Sequence, residues 1–271
     1  MDALNAITPS EGASRFADIP YGEGERRRLD LYVPAMVPPR APVLVFFYGG
    51  SWTDGDRADY RFAGTAFAGR GYITAIPDYR VHPEVTYPAF LEDGAAAVAA
   101  LPGILAARGL PSDGPVIIAG HSAGAHIAMM LALDPRWLAA RGLSNCRDVA
   151  AVLGLAGPYD FLPMTNAGVI AAFGAAVNTA ETQPITHAGR GDPPAVLLTG
   201  TADVTVLPRN SQVLARALRA AGTPASVVTY DGVGHVALVA ALAAPLRGTA
   251  PVLDDADSGL RQALAEPARA C

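Results

Sequence analysis

Val116-Ile117-Ile118-Ala119-Gly120-His121-Ser122-Ala123-Gly124 is the stretch that decides the fold. Four apolar residues run into Gly-His-Ser-Ala-Gly, and a helical pattern, Ala123–Leu133, follows at once. G-x-S-x-G between a buried strand and a helix puts its serine on a tight turn with strained dihedrals. Glycines two residues before and after the serine let backbone and helix approach without a Cβ clash. The turn lifts the Ser122 oxygen clear of the sheet, and the helix that begins there aims its positive dipole end at a developing oxyanion. Glycine-rich chains produce the motif by chance; the strand before it and the helix after it make it specific.

On both sides of this stretch the chain alternates. Leu29–Val33 reads as a half-exposed strand, and Val43–Tyr48, nearly all apolar, as a strand covered on both faces. Tyr72–Ile76, Ala151–Leu155, Ala195–Thr199 and Ser226–Tyr230 continue the series. Helical patterns lie at about Tyr60–Ala68, Pro88–Arg108, Pro208–Ala221 and Val236–Ala244. Strands alternating with helices predict an α/β fold, a mostly parallel doubly wound sheet with helices on both faces. Its reactive groups gather at the carboxyl ends of the strands. Residues 1–271 are expected to form one domain, with a small cap inserted at about 161–192, where periodicity is weak. The tail from Thr249 to Cys271 reads as one terminal helix with loose ends.

A serine at its ordinary pKa is a weak nucleophile and needs a base. Of five histidines, His235 fits best: Asp231-Gly232-Val233-Gly234-His235 is a glycine-rich loop after a strand and before a helix. His121 and His126 are held beside or behind the serine, His82 comes too early in the chain, and His187 falls in the cap. The base in turn needs a carboxylate to hold its tautomer. Asp203 follows the strand Ala195–Thr199 and ranks first, ahead of Asp160 and Asp231. An oxyanion hole is expected at Tyr48-Gly49-Gly50-Ser51-Trp52, where backbone N–H groups of a glycine turn join the amide of Ala123.

With these parts in place the chain resembles the carboxylesterase group of the α/β-hydrolase superfamily. The branch it is similar to includes hormone-sensitive-lipase-like esterases, kynurenine formamidases and feruloyl/acetyl esterases. The resemblance rests on Gly120–His126 (GHSAGAH), the YGGSW turn, Pro77-Asp78-Tyr79-Arg80 and Tyr87-Pro88-Ala89-Phe90, and runs from about Leu29 to Leu246. It implies a triad of Ser122, Asp203 and His235 and oxyanion amides at Gly50, Ser51 and Ala123. Tyr48 departs from the family, which usually has histidine there; a tyrosine can keep the turn packed or hydrogen-bonded through its hydroxyl.

Composition narrows the chemistry further. All 20 basic residues are arginine, so lysine Schiff bases, GKS/T phosphate loops and Ser–Lys dyads are excluded. With 51% hydrophobic and 17% charged residues the chain can bury a large core. A net charge of −5 argues against nucleic acid as partner. The only basic run, Arg26-Arg27-Arg28, reads as a solvated strand entry. Cys146 and Cys271 make no disulfide framework and are given a structural or incidental role. No metal spacing or dinucleotide fingerprint is present, so no metal and no cofactor is expected. Neither a signal peptide at 1–20 nor an apolar run long enough for a bilayer is read, and a cytoplasmic bacterial protein is expected. Composition assigns no oligomeric state.

The expected function is hydrolysis of a small-to-medium carboxylic ester through an acyl-enzyme. An aryl formamide is the alternative substrate, and a binding protein that has lost its chemistry the reading from another class. Trp52, Leu162, Phe173, Val204 and Val236 are the candidate pocket walls.

Overall fold

The computed structural model describes residues 2–266, 269 and 271. Its strands are β1 (Ser14–Pro20), β2 (Arg28–Val33), β3 (Val43–Phe47), β4 (Ile73–Pro77), β5 (Val116–His121), β6 (Ala151–Leu155), β7 (Ala195–Gly200) and β8 (Ala225–Tyr230). They form one sheet in the order β1-β2-β4-β3-β5-β6-β7-β8. Pairs β1–β2 and β2–β4 are antiparallel, and every other pair is parallel. The helices are α1 (Asp2–Ile7), α2 (Arg61–Gly69), α3 (Ala89–Ala106), α4 (Ala123–Leu133), α5 (Pro135–Ala139), α6 (Asn145–Asp148), α7 (Ala167–Phe173), α8 (Arg209–Ala220), α9 (His235–Ala240) and α10 (Val252–Ala265). α3 packs on α4, which crosses β3, β5 and β6, while α8 packs on β7 and β8. α2 and α10 touch each other and cover β4 and β2, and β6 and β7. This is the mostly parallel sheet with helices on both faces that the alternation predicts, and the α/β-hydrolase fold that the resemblance implies.

Helices on both faces explain why β3, β4, β6 and β7 are buried along their whole length and why their sequences are runs of apolar residues. Register carries the same order to the reactive edge: Phe47 lies beside Gly120, Gly120 beside Gly154, and Gly200 beside Tyr230. The segments leaving β3, β5, β7 and β8 therefore emerge side by side. Residues 161–192 form a small irregular layer between β6 and β7, holding α7 and three short 3₁₀ turns.

Three expectations need correction, and one strand was not expected. β2 is not half-exposed; all but its first residue are buried. Its polar face is closed by α2, where Gly64 lies against the Tyr32 ring, and by Arg15 and Arg57 at the buried Asp30 carboxylate. β1 has no apolar alternation to betray it, since it is an exposed edge strand with only Ile19 buried. The run Arg26–Arg28 is not merely solvated: Arg27 pairs with Asp93, and Arg28 donates to the carbonyl of Asp18. Finally, α3 is long and apolar enough to cross a membrane by length and composition, although no such run is read from the sequence. In this fold it packs inside, with Asp93 on its buried face gripped by Arg80 at 2.8 and 2.9 Å.

The two cysteines also meet. Cys146 and Cys271, 125 residues apart, form a disulfide with their Cα atoms 5.8 Å apart. Arg269 reinforces that closure, donating to the carbonyls of Cys146, Val149 and Ala150.

Candidate active site

Ser122 is the hinge between β5 and α4, at φ 54° and ψ −123°. That region is strained for any residue with a Cβ. Two glycines make it possible. A Cβ at Gly120 would collide with the carbonyl of Gly124, and a Cβ at Gly124 with the carbonyls of Phe47 and Tyr48. The Ser122 amide donates to Leu155 O at 2.9 Å, tying the turn to the end of β6.

His235 begins α9, and its Nε2 lies 2.9 Å from Ser122 Oγ. Its Nδ1 lies 2.7 Å from Asp203 Oδ2. The loops that carry these two residues are zipped together. Thr201 N donates to Tyr230 O and Ala202 N to Val233 O. The Thr201 hydroxyl bridges Asp231 Oδ1 (3.0 Å) and the Gly232 amide (2.8 Å). Asp231 is thus occupied within its own loop. Asp160 is held 2.8 Å from Arg209. Of the three carboxylates weighed from sequence, Asp203 alone meets His235. Its other oxygen accepts the amides of Thr205 (2.9 Å) and Val206 (2.8 Å). Burial pulls the Asp203 pKa upward, but the His235 hydrogen bond and these amides outweigh it and hold the carboxyl below its ordinary value.

The other histidines are where the sequence placed them, off the serine oxygen. His121 is buried, its ring 4.8 Å from that of His235; burial above all, then the neighbouring His235, lowers its pKa to about 3. His126 is buried within α4, lowered to about 4 by burial, and its Nε2–H donates to Thr182 O at 2.8 Å. His187 donates to Glu181 O.

The glycine turn after β3 runs through Gly50 at φ 149°, where a Cβ would strike the carbonyl of Asp54. Ser51 and Trp52 follow at φ 54° and 59°. The Gly50 carbonyl accepts the amides of Thr53 and Asp54, both at 3.0 Å. Tyr48, the departure from the family pattern, stacks on Tyr79 at 4.7 Å, and its hydroxyl takes a hydrogen bond from Arg26. Arg26 also donates to Gly55 O at the far end of the turn and to Tyr79 O. Nothing local in the sequence singles out this arginine, because its partners lie 22 to 53 residues away.

Ser51, Trp52, Ser122 and Ala123 line one cavity of about 220 Å³. Gly50 does not line it; its part is the turn itself. The remaining wall is mostly apolar, from Phe161, Met164 and Val169 of the segment 161–192 and Val206 near Asp203. Four proposed walls fall elsewhere. Phe173 is wholly buried behind Trp52, edge-on at 4.9 Å. Leu162 packs against the core while its neighbours Phe161 and Pro163 face the cavity. Val204 and Val236 point outward, 88% and 58% exposed. Two larger hollows, of 370 and 390 Å³, lie around Pro115 and Ala150 at the opposite strand ends and hold none of these groups. Among the described residues no cluster of His, Cys, Asp or Glu could hold a metal ion.

A family model described as BD-FAE matches residues 29–218. A probable isoprenylcysteine alpha-carbonyl methylesterase of Arabidopsis thaliana is 29% identical over 92% of this chain and 65% of its own length. A kynurenine formamidase of Salmo salar is 25% identical over 56% of this chain and 49% of its own. The chain thus spans from just under half to just under two thirds of the length of these relatives. Among solved structures, Thermogutta terrifontis esterase 2 phosphoramylated by tabun superposes with a TM-score of 0.75, at 24% identity over 96% of this chain and 98% of that one.

Proposed function

The chain belongs to the BD-FAE family of α/β-hydrolase-like domains, and from that premise we propose that it is a serine hydrolase of small-to-medium carboxylic esters. The observation that carries the reading is the unbroken chain from Ser122 Oγ through His235 to Asp203, at 2.9 and 2.7 Å, opening on a mostly apolar cavity. Ser122 attacks the ester carbonyl while His235 Nε2 takes its proton. Asp203, kept ionised, holds His235 Nδ1–H and stabilises the imidazolium. The amides of Ser51 and Ala123, which have no acceptor within the protein among the described residues, receive the oxyanion. His235 then protonates the leaving alcohol, and the same residue activates the water that releases the acid. A cavity of 220 Å³ is below the usual range for drug-sized ligands, which favours short acyl groups.

An organophosphonate should add its mass to Ser122 and to nothing else, and p-nitrophenyl acetate and butyrate should turn over faster than the decanoate. No adduct and no turnover would remove the proposal. The similarity to a kynurenine formamidase supports a second reading, with an aryl formamide in the same site. Turnover of N-formylkynurenine at a kcat/KM above that of every ester tested would favour it.

A further inference from the structure

We propose that Tyr60 and His121 form a buried hydrogen-bonded strut that fixes the distance between the glycine turn and the base His235, making them positioning residues for the reaction proposed above. The proton positions follow from chemistry alone. Gly49 N lies 3.2 Å from Tyr60 Oη, and an amide only donates, so the phenol oxygen accepts there. His121 Nε2 lies 3.3 Å from the His235 carbonyl, which only accepts, so Nε2 carries the hydrogen. A neutral imidazole with hydrogen on Nε2 has a lone pair on Nδ1. Tyr60 Oη is 3.1 Å from that nitrogen and still has its own hydrogen to give. The result is one directional chain: Gly49 N–H to Tyr60 O–H to His121 Nδ1, then Nε2–H to the His235 carbonyl. Every donor and acceptor in it is used once, and no alternative tautomer satisfies all four groups.

Both ends belong to the machinery. Gly49 opens the turn that carries Ser51, and His235 is the base. The strut passes through the residue next to Ser122, so turn, nucleophile and base are referenced to one rigid piece. Tyr60 and His121 are 4% and 3% exposed, so water does not compete for these bonds. Keeping His121 neutral matters because its ring lies against that of His235, and a second positive charge there would oppose the imidazolium of the acylation step. Burial holds it in that neutral state.

The Tyr60 ring packs against Phe46, Tyr48 and Phe62. Tyr60→Phe keeps that packing and deletes only the hydroxyl. Its kcat on p-nitrophenyl butyrate should fall about 10–100-fold, with KM within about twofold, because geometry and not binding is lost. His121→Gln can accept through its carbonyl and donate through its amide; it should keep most of the rate, whereas His121→Leu should lose as much as Tyr60→Phe. In the double variant Tyr60→Phe/His121→Leu the losses should not multiply, since either change breaks the same strut. Wild-type kcat in Tyr60→Phe, or equal loss in the Gln and Leu variants at His121, overturns the strut. Failure of the unmodified protein to take an organophosphonate at Ser122 overturns instead the esterase reading on which it rests, so the two failures are told apart.

Discussion

At Ser122 a side chain is kept where glycine would be at ease, at φ 54°. Such a conformation costs about 1–3 kcal/mol and persists only where its surroundings over-determine it. Ser122→Gly should therefore stabilise the fold by about 1 kcal/mol, after allowing for the greater freedom of unfolded glycine, while abolishing turnover. Urea unfolding of the two proteins side by side checks this. Asp203→Asn should lower kcat by about 10³–10⁴-fold, because an amide cannot hold the tautomer of His235. Asp160→Asn should change it little, as that carboxylate is occupied by Arg209. If the Asp160 variant suffers the larger loss, the acid is misassigned. That Ser122, Asp203 and His235 come together was legible in the sequence because each follows a strand end and stands in a glycine-punctuated turn. Of the five expected pocket walls only Trp52 was. Val204 and Val236 adjoin the acid and the base, yet they turn to solvent, while Val206, two residues further on, turns inward. Which neighbour faces the cavity depends on backbone directions in the loop, and apolarity alone does not encode them.

Among the elements, α4 does more than support the serine. His126, one turn along it, reaches through Nε2–H to the carbonyl of Thr182 and so ties α4 to the 161–192 segment. When folded, His126 and His121 are neutral, with pKa values drawn down mainly by burial to about 4 and about 3. When unfolded, each takes a proton near pH 6.5. Below about pH 6.5 the unfolded chain binds protons that the folded chain refuses, so stability falls with pH. The loss contributed by His126 is complete near pH 4, where the folded ring protonates too. His126→Gln, which can still donate to Thr182 O, should show a shallower fall between about pH 6.5 and pH 4 in urea titrations; an equal slope would mean that other groups dominate. The parallel strands were legible at this scale because burial on both faces leaves unbroken apolar runs. β1 was not, since an edge strand facing water needs no such pattern. The burial of β2 was missed because its polar residues, Asp30 above all, are paid for by arginines distant in sequence.

Taken as a whole, the molecule uses its arginines as internal fasteners. Arg57 spans Asp18, Asp30 and Asp78, and Arg80 and Arg27 converge on Asp93. None of this was readable from composition, because a charge count does not say which carboxylate faces which guanidinium. The Cys146–Cys271 bond is of the same kind: two cysteines 125 residues apart give no local signal of pairing. Closing a loop of that length is worth about 3–5 kcal/mol, so Cys146→Ser, or wild type in reductant, should be less stable by that amount in urea unfolding. An intact mass that rises by two hydrogens on reduction reports the bond itself.

The disulfide also settles what a single cut within residues 161–192 can do. Residues 161–192, Asp203 and His235 all lie between its two cysteines, whereas Ser122 lies before them. A protease that nicks this segment divides Ser122 from Asp203 and His235 along the chain but leaves the two fragments covalently joined. The clipped protein should run as one band without reductant and as two with it, and its halves stay paired through cycles of unfolding that would scatter an unlinked pair.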